Sequence, residues 1–372
     1  MDPQSPIILT ITDLSRGGAG VARDDNGRVI FVPFTAPGDR VQVQVIAADR
    51  RYAQGVLQEI LEPSPLRQKP PCEVFTRCGG CQWQHLPYDT QWKTKSNGVR
   101  QALARVAVPE PDHWDEFPAG EQWEYRNRVQ LRGFQKELGY FAPQSHQLIP
   151  IENCPIARPE INQALKEVRE EGSRLPKPYK VEIEVLQNNA VRKHWNASHA
   201  AGGFRQVNDE QNKKLQAWIQ THLTPGRVLY DLFGGNGNLS QPLATFATEV
   251  HSVDVGAPRQ PPADTPPNMN FHRADVLPWL VRQAESFKQR RSSPASAIID
   301  PPREGLGLVV SEIATSLEAL GVDEIIAVGC DPDSWAKDVS KFTRRNWKLQ
   351  KAALLDFFPQ TVHVESVALL RL

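Results

Sequence analysis

Apolar and polar residues alternate in the first sixty residues, and this alternation predicts short β-strands. Val41–Ala47 alternates valine with glutamine, a period-two pattern that buries one face of a strand. Further apolar runs, separated by glycine- and proline-containing turns, are Ile7–Thr12, Arg28–Pro33 and Ala53–Ile60. Closely spaced strands in so short a segment indicate a compact β-barrel of the OB type, although the pattern fits any small β-barrel.

From about Asp209 onward the pattern changes to strands that alternate with helices. A helix over Glu210–His222 precedes seven apolar runs, which are Arg227–Phe233, Glu249–Val255, Met269–Phe271, Ala297–Asp300, Glu324–Cys330, Lys351–Phe358 and Val364–Leu372. Such alternation indicates an open, mostly parallel α/β sheet. The short connection Pro359–His363 excludes a crossover, so the last two strands form an antiparallel hairpin. The predicted fold class is α/β, with the seven-stranded, Rossmann-like sheet of class I methyltransferases.

Proline-rich breaks suggest the domain boundaries. Pro63-Ser64-Pro65 ends the barrel-like region, and a helix from about Tyr88 to Ala107 follows. The predicted division is an OB-like domain over 1–63, a small mixed central domain over 64–205 and an α/β domain over 206–372. Within the last domain, five prolines in 256–268 exclude the helix expected after the second strand.

Composition narrows the function classes. The chain has 372 residues with 43 basic and 43 acidic side chains, so its net charge is zero. This balance argues against a globally basic nucleic-acid-binding tail but permits a local basic groove. The N-terminus lacks the features of a secretory signal, and no run approaches 18 apolar residues. We therefore expect a cytoplasmic, monomeric protein that does not span a membrane.

A glycine-containing loop, Asp231–Asn238, follows the first strand of the α/β domain and precedes a predicted helix. An acid at its start disfavours a pyrophosphate but suits the cationic end of S-adenosylmethionine. Asp254 could accept hydrogen bonds from both ribose hydroxyls, and Asp275 could read the adenine amino group. The three acids at successive strand ends favour S-adenosylmethionine over a nicotinamide cofactor, although each acid alone could be a helix N-cap.

Four of the five cysteines have the spacing of a ligand set. Cys72, Cys78 and Cys81 lie close together, and Cys154 follows in the central region. Four thiolates suit zinc or an iron–sulfur cluster. Two glycines between Cys78 and Cys81 leave room for a bulky cluster, whereas the paired C-x2-C motifs of a zinc ribbon are absent. Buried, unligated thiols remain the alternative.

The fifth cysteine, Cys330, ends a predicted strand of the parallel sheet. Ligands bind at the carboxyl ends of such strands, so a thiolate here could act as a nucleophile. The following Asp331-Pro332 predicts that the thiol lies in a loop rather than in a helix. An inert thiol at a strand end is the alternative.

Together these features resemble the RNA uracil-C5 methyltransferases, which make 5-methyluridine in 23S rRNA or tRNA. The likeness is to the branch with a TRAM domain, an OB-like RNA-binding barrel, and a 4Fe-4S cluster, and it spans nearly the whole chain. The segments that carry it are Gly17–Ala22, Phe31–Asp39, Cys78–His85, Tyr125–Arg128, Phe204–Asn208, Asp231–Gly237, Asp300–Gly305, Cys330–Pro332 and Val364–Leu370.

The resemblance implies a role for each matching residue. It implies that Cys72, Cys78, Cys81 and Cys154 bind the cluster, and that the RNA substrate contacts Arg126, Arg128, Phe204 and Arg303. The residues that it implies for the cofactor S-adenosylmethionine are Gln206, Asp231, Phe233, Gly235, Gly237, Asp254, Asp275 and Asp300. The catalytic residues that it implies are Cys330 as nucleophile, Glu365 as base and Asp300, which could hold the uracil N3–H.

The implied reaction begins with addition of the Cys330 thiolate to C6 of uracil, because C5 is too weak a nucleophile by itself. The target base must be flipped out or single-stranded, and Phe204 could stack on it. The implied substrate is 23S rRNA. The alternatives are uridine-54 of the tRNA T-loop and a catalytically impaired RNA-binding factor.

Two departures from the family pattern motivate the last alternative. The family motif S-C-N-P reads Gly329-Cys330-Asp331-Pro332 here, and an acid beside the thiol would raise its pKa. Gly234 stands where the family has a cysteine.

Overall fold

The computed structural model describes residues 5–49, 51–197, 205–287 and 294–372. The strands in these residues are β1 (Ile7–Thr10), β2 (Asp13–Leu14), β3 (Gly20–Arg23), β4 (Val29–Val32), β5 (Arg40–Ala48), β6 (Tyr52–Glu62), β7 (Trp114–Phe117), β8 (Arg128–Phe134), β9 (Glu137–Phe141), β10 (Leu148–Pro150), β11 (Tyr179–Val185), β12 (Val191–Trp195), β13 (Val228–Leu232), β14 (Glu249–Asp254), β15 (Met269–Arg273), β16 (Ala295–Ile299), β17 (Val322–Gly329), β18 (Lys348–Leu355) and β19 (Glu365–Arg371). The α-helices are α1 (Tyr88–Arg105), α2 (Pro159–Ser173), α3 (Asp209–His222), α4 (Val276–Phe287), α5 (Val310–Ala319) and α6 (Pro332–Thr343).

Internal contacts divide the chain into two compact units. The first comprises residues 1–96, 120–197 and 358–362, and the second comprises 97–119, 198–357 and 363–372. None of the helices in the described residues is long and apolar enough to cross a membrane.

A six-stranded sheet in the first unit forms from the N-terminal residues, in the order β1-β5-β6-β4-β3-β2. The valines of β5 that alternate with glutamine supply its buried face, since Val41 and Val43 are fully buried. Three register shifts between β5 and β6 bend this long pair. The curled sheet fits the barrel-like domain predicted from the sequence.

A second sheet in the first unit is antiparallel, in the order β10-β9-β8-β11-β12. Its apolar face, including Val129, Leu131, Val181 and Ile183, packs with α2 in one core. The side chains that alternate with these valines, leucine and isoleucine lie on the other face of the sheet.

The second unit contains a sheet of eight strands, in the order β15-β14-β13-β16-β17-β19-β18-β7. All seven strands predicted from the sequence are present. The first five are parallel, and β19 is antiparallel to both β17 and β18, as the hairpin prediction requires. The eighth strand, β7, lies far earlier in the chain and pairs in parallel with β18. The predicted strand number of seven is therefore one short.

Two connections at the functional edge differ from expectation. The helix predicted after the glycine loop is replaced by a short 3-10 turn, Gln241–Leu243, before β14 begins. The loop predicted after Cys330 is only two residues long, because Pro332 is the first residue of α6. A proline is accepted there because the first N–H of a helix has no intrahelical acceptor. The segment 256–268 contains no helix, as its prolines predict.

Candidate active site

Three predicted catalytic side chains lie at one edge of the eight-stranded sheet. Asp300 and Cys330 directly follow β16 and β17, which are parallel neighbours. Glu365 begins β19, and the antiparallel pair Gly329–Ser366 places the start of β19 opposite the end of β17. Ligands bind at this edge of open α/β sheets. The fold therefore sets a thiol on the strand between two carboxyl-bearing strands.

A pocket opens beside the thiol. Its lining includes Pro301, Arg303, Leu306, Cys330, Trp335 and Asp338. The backbone carbonyl of Arg303 accepts a hydrogen bond from Ser334 Oγ at 2.7 Å. The pocket thus brings the predicted nucleophile together with the segment Asp300–Gly305, which is one of the segments that carry the family resemblance.

Burial raises the pKa of both carboxyl groups. Glu365 is only 3% exposed, and its pKa lies well above the ordinary range because of burial, with a further increase from Asp300 and an opposing effect of Arg303. The pKa of Asp300 is raised to about 7 by burial and by the nearby Asp231 carboxylate. A carboxyl group with a pKa near neutrality, as Asp300 has, is suited to general acid–base chemistry.

The Cys330 thiol carries its proton in the free protein. Its pKa is raised to about 12, mainly by burial and also by the Glu365 and Asp300 carboxyl groups, with an opposing effect of Arg303. The neighbouring acid, Asp331, directs its carboxylate into α6, where it accepts hydrogen bonds from the N–H groups of Asp333 at 3.0 Å and Ser334 at 2.9 Å. Asp331 is therefore the N-cap of α6, a position that favours a negative charge.

The glycine loop is organised around the carboxylate of Asp231, which is fully buried in β13. Ser240 Oγ donates a hydrogen bond to Asp231 Oδ2 at 2.5 Å, and Ser252 Oγ donates to the same atom at 3.4 Å. Burial raises the pKa of Asp231 to about 6, while these two hydroxyls oppose that increase. The other oxygen, Oδ1, is buried without a hydrogen-bond partner. A buried oxygen of this kind is available to a donor on a ligand.

Backbone geometry in this loop explains its glycines. A Cβ at Gly234 would overlap the Asp231 carboxylate, and one at Gly237 would overlap the side chain of Met269. Gly235 and Gly237 also have positive φ angles of 57° and 80°. Phe233 adopts a φ of 62°, which is uncommon for a residue with a side chain.

The other predicted cofactor residues occupy three separate places in the second unit. Asp254 ends β14 and Asp275 directly precedes α4, where its carbonyl accepts the first helical hydrogen bond from Trp279 at 3.1 Å. Gln206 is buried two residues before Asn208, the N-cap of α3. Phe204 lies outside the described residues.

The arginines predicted to contact RNA differ in exposure. Arg303 is exposed, and Arg126 is half-buried with its Nε donating to the carbonyl of Arg128 at 3.0 Å. Arg128 is only 3% exposed and lies opposite Glu184 in the five-stranded sheet. Within the first unit, the position of Arg126 therefore favours a phosphate contact more than that of Arg128.

The four clustered cysteines belong to the first unit. All are free thiols, and Cys72, Cys78 and Cys81 have raised pKa values, about 11 for Cys78 and about 12 for Cys81. Burial is the largest cause, and the charge of Cys154 raises all three further. Among the described residues, however, no group of three or more histidine, cysteine or acidic side chains has an arrangement that could hold a metal ion.

Sequence reasoning missed several polar residues of the site. Ser240 and Ser252 hold Asp231, and Asp338 accepts a hydrogen bond from the N–H of Leu306 at 2.7 Å. No spacing rule marks them, because each contacts a residue from another part of the chain. The only local signal is that Asp338 is an acid on the buried side of α6, where most of the other residues are apolar.

Two family profiles match the chain. Residues 7–57 match the TRAM domain, and residues 180–372 match the tRNA (Uracil-5-)-methyltransferase family. The second match covers the sheet edge that carries Asp231, Asp300, Cys330 and Glu365.

Similar proteins cover nearly the entire chain. An uncharacterized RNA methyltransferase of Bdellovibrio bacteriovorus is 30% identical over 99% of this chain and 95% of its own length. The 23S rRNA (uracil-C5)-methyltransferase RlmD of Pseudomonas fluorescens is 28% identical over the same shares of the two chains. The crystal structure of the Pyrococcus abyssi tRNA (uracil-54, C5)-methyltransferase with S-adenosyl-L-homocysteine superposes with a TM-score of 0.72 at 21% identity, covering 97% of this chain and 99% of that one.

Proposed function

Because this chain belongs to the RNA (uracil-5-)-methyltransferase family, we propose that it methylates C5 of a uridine in 23S ribosomal RNA. The reaction class is methyl transfer from S-adenosylmethionine to uracil C5 in RNA. Several relatives named as 23S rRNA methyltransferases align over nearly their full length, and these support ribosomal RNA as the substrate. The observation that carries the proposal is structural: Asp300, Cys330 and Glu365 lie on three neighbouring strands at the ligand-binding edge of the sheet.

Cys330 is the proposed nucleophile. The thiol first releases its proton to solvent. The resulting thiolate bonds to C6 of uracil, and the electrons of the C5–C6 double bond move onto C5 and O4. C5 then bonds to the donor methyl carbon as the bond between that carbon and the sulfonium sulfur breaks. Arg303 favours the thiolate electrostatically, since it lowers the pKa of Cys330 against the effect of the two carboxylates.

Glu365 is the proposed base. After methylation, the carboxylate takes the proton from C5, the C5–C6 double bond reforms and the thiolate leaves C6. Burial supports this role because it raises the pKa of Glu365 and so makes its carboxylate a stronger proton acceptor. Asp300 would accept the N3–H of uracil, and this contact would reject cytosine, whose N3 is an acceptor. Arg303 or Gln206 would donate to the developing charge on O4.

The residues of the glycine loop fit S-adenosylmethionine, which supplies an electrophilic methyl group when bound. Asp231 Oδ1 is a buried acceptor without a partner, and it suits the amino group of the donor. Met269 packs so closely against Gly237 that no Cβ fits there, so the loop can adopt this path only with glycine at that position. Asp254 and Asp275 remain the proposed contacts for the ribose and the adenine, with Phe233 and Gly235 shaping the loop.

We also propose that Cys72, Cys78, Cys81 and Cys154 bind a 4Fe-4S cluster. The spacing of the four cysteines in the sequence and their nearness to one another support this proposal, since a cluster would neutralise the thiolates that bind it. The N–H of Gly80 donates to Cys78 Sγ at 3.4 Å, and Tyr140 Oη donates to Cys154 Sγ at 3.8 Å. Such donors stabilise thiolate sulfur.

The remaining proposals concern organisation. The division into 1–63, 64–205 and 206–372 assigns RNA binding to the TRAM region and to Arg126, Arg128 and Phe204 of the central region. A ribosomal RNA substrate implies a cytoplasmic location, and we expect the enzyme to act as a monomer.

The substrate proposal is tested by incubating the purified protein with methyl-labelled S-adenosylmethionine and separate samples of unmodified 23S rRNA and tRNA. Nuclease digestion and mass spectrometry then identify the methylated nucleoside and its position. We expect 5-methyluridine at one position of 23S rRNA and none in tRNA. Transfer to tRNA alone would favour the T-loop alternative, and absence of transfer to either RNA would favour a non-catalytic RNA-binding factor.

The cluster proposal is tested on protein purified without oxygen. We expect about four iron and about four sulfide atoms per chain, with visible absorbance that is lost in Cys81→Ser. A colourless protein that contains zinc, or no metal, would contradict the proposal.

A further inference from the structure

One face of α6 holds the segment that carries Arg303. Ser334 Oγ donates to the carbonyl of Arg303 at 2.7 Å, and Asp338 Oδ2 accepts from the N–H of Leu306 at 2.7 Å. One turn further along, Lys341 Nζ donates to the carbonyl of Gly307. Positions 334, 338 and 341 share one face of a helix. Three successive contacts therefore fix the backbone of 303–307 against α6.

Asp338 is the central contact of the three. It is 7% exposed, and burial raises its pKa while the N–H groups of Leu306 and Gly307 lower it as hydrogen-bond donors. Gly305 has a φ of 70°, and a Cβ there would lie 2.5 Å from Asp338 Oδ2. The carboxylate and the glycine thus shape one tight turn directly after Arg303.

The same helix is fixed to the strand that carries the thiol. Asp331 caps α6 one residue after Cys330, and Trp335 Nε1 donates to the carbonyl of Ala327 in β17 at 3.1 Å. The Trp335 side chain also packs against Gly329, where an added Cβ would lie 2.9 Å from Trp335 Cβ. A displacement of the Arg303 segment relative to Cys330 therefore requires that contacts along α6 break.

We propose that Asp338, assisted by Ser334, is a positioning residue that holds Arg303 in place to act on Cys330 and Glu365. The charged groups that face the thiol are Glu365 from β19, Asp300 after β16 and Arg303 itself. Arg303 is the cation of this set. Its position therefore decides how far it offsets the repulsion between a Cys330 thiolate and the two carboxylates. This inference rests on the proposed function only in the identity of Cys330 as the nucleophile.

The test is the rate at which iodoacetamide alkylates Cys330 between pH 7 and 10, followed by mass spectrometry of the peptide that contains it. Asp338→Ala frees the Arg303 segment, so the thiol becomes harder to ionise and the rate profile shifts to higher pH. Alkylation at pH 8 should slow by about tenfold for a shift of about one pH unit. Ser334→Ala should shift the profile in the same direction by less.

Asp338→Asn is the conservative variant, because its amide oxygen can still accept one of the two backbone N–H groups. Cys330 of Asp338→Asn should be alkylated at a rate between those of Asp338→Ala and the wild type. If Asp338→Ala does not fold, the comparison of Asp338→Asn with the wild type tests the inference. In the methyl-transfer assay, the Asp338 variants should lower kcat and leave KM for S-adenosylmethionine unchanged.

The matched control is Asp333→Ala, which removes another carboxylate of α6, one that forms an ion pair with Arg105 at 2.6 Å. Its alkylation profile should match that of the wild type. The inference is overturned if folded Asp338→Ala and Asp338→Asn alkylate like the wild type, or if Asp333→Ala slows alkylation equally. Alkylation does not require RNA, so a failure of the proposed function would show separately, as a wild-type protein that methylates no RNA.

Discussion

The two cysteine regions of this chain contain the same functional group in different electrical surroundings. Cys330 lies among two carboxyl groups and an arginine, whereas Cys72, Cys78 and Cys81 lie near one another and near Cys154. Burial raises the thiol pKa in both regions. What differs is the partner that could stabilise a thiolate, which is a cationic side chain for Cys330 and an added metal centre for the four clustered thiols.

This comparison shows that the neighbours of a thiol, rather than its pKa alone, indicate its chemistry. Two buried carboxyl groups with raised pKa values lie near Cys330, as suits a nucleophile in a reaction with proton transfer. Around Cys78 the hydrogen-bond donor is the backbone N–H of Gly80 and the nearby charged groups are other thiols, as expected for a ligand. Of the five cysteines, four are thus proposed as cluster ligands and one as the nucleophile.

The largest expected effect separates the two regions directly. Cys330→Ala should lower methyl transfer by about 10⁴-fold or more, because no other group supplies the bond to C6. Binding of S-adenosylmethionine, measured by calorimetry, should be unchanged. Cys81→Ser should lose iron and visible absorbance but retain measurable transfer. The comparison fails if Cys81→Ser is as inactive as Cys330→Ala while both proteins remain folded.

The next effect concerns the carboxyl group opposite the thiol. Glu365→Gln should lower turnover by about 10²- to 10⁴-fold, because the proton on C5 loses its acceptor. The thiol can still add to C6, so a covalent protein–RNA complex should accumulate and be visible on a denaturing gel. Turnover near the wild-type rate, with no such complex, would show that another group is the base.

A smaller effect follows from the raised pKa of Asp300, about 7 in the folded protein. Between about pH 4 and pH 7 the Asp300 carboxyl group keeps its proton in the folded protein but loses it in the unfolded chain. The contribution of Asp300 to the unfolding free energy therefore falls as pH rises through this range. Asparagine has no proton to lose, so Asp300→Asn avoids the cost of a buried charge at high pH. The unfolding free energy at pH 8 should increase by about 1–3 kcal/mol relative to wild type.

Thermal melts without ligand at pH 4 and pH 8 provide the measurement. Tm of Asp300→Asn should exceed that of the wild type at pH 8 and match it at pH 4. Asp264→Asn is the control, since Asp264 is exposed, and its Tm should follow the wild type at both values. A Tm for Asp300→Asn below that of the wild type at pH 8 would contradict the burial argument.

The smallest effect is expected at Asp331. Asp331→Asn restores the residue typical of the family, and asparagine caps a helix about as well as aspartate. We expect the unfolding free energy to change by less than about 0.5 kcal/mol and the alkylation profile of Cys330 to remain close to that of the wild type. A large shift of that profile to lower pH would show that the Asp331 charge acts mainly on the thiol rather than on the helix.

Local patterns predicted the strands of the parallel sheet and the edge that carries Cys330, because each strand is a continuous apolar run and ligands bind where such strands end. β7 was missed, since its four residues acquire their pairing from β18, more than 200 residues later in the chain. The chain after the glycine loop was predicted as a helix, but it turns back after a single 3-10 turn.

The site was predictable only in part for the same reason. The position of Cys330 at a strand end indicated a possible nucleophile, with an inert thiol as the alternative. Only the resemblance to a family indicated Glu365, which the pattern alone leaves as a strand residue. The contacts of Ser252 with Asp231 and of Asp338 with Leu306 join separate parts of the chain, and no local periodicity encodes them. The pKa values of the carboxyl groups likewise depend on burial, which only the packed structure determines.

The central claim, that Cys330 bonds to C6 while C5 receives a methyl group, is tested most directly with a 23S rRNA fragment that contains 5-fluorouridine at the target position. Fluorine replaces the C5 hydrogen that the base removes, so the reaction should stop after methyl transfer. With S-adenosylmethionine present, mass spectrometry should find the Cys330 peptide bonded to a nucleotide that carries one additional methyl group. A bond to a different cysteine, or methylation of ordinary uridine by an enzyme that forms no covalent complex with the fluorinated RNA, would contradict the account.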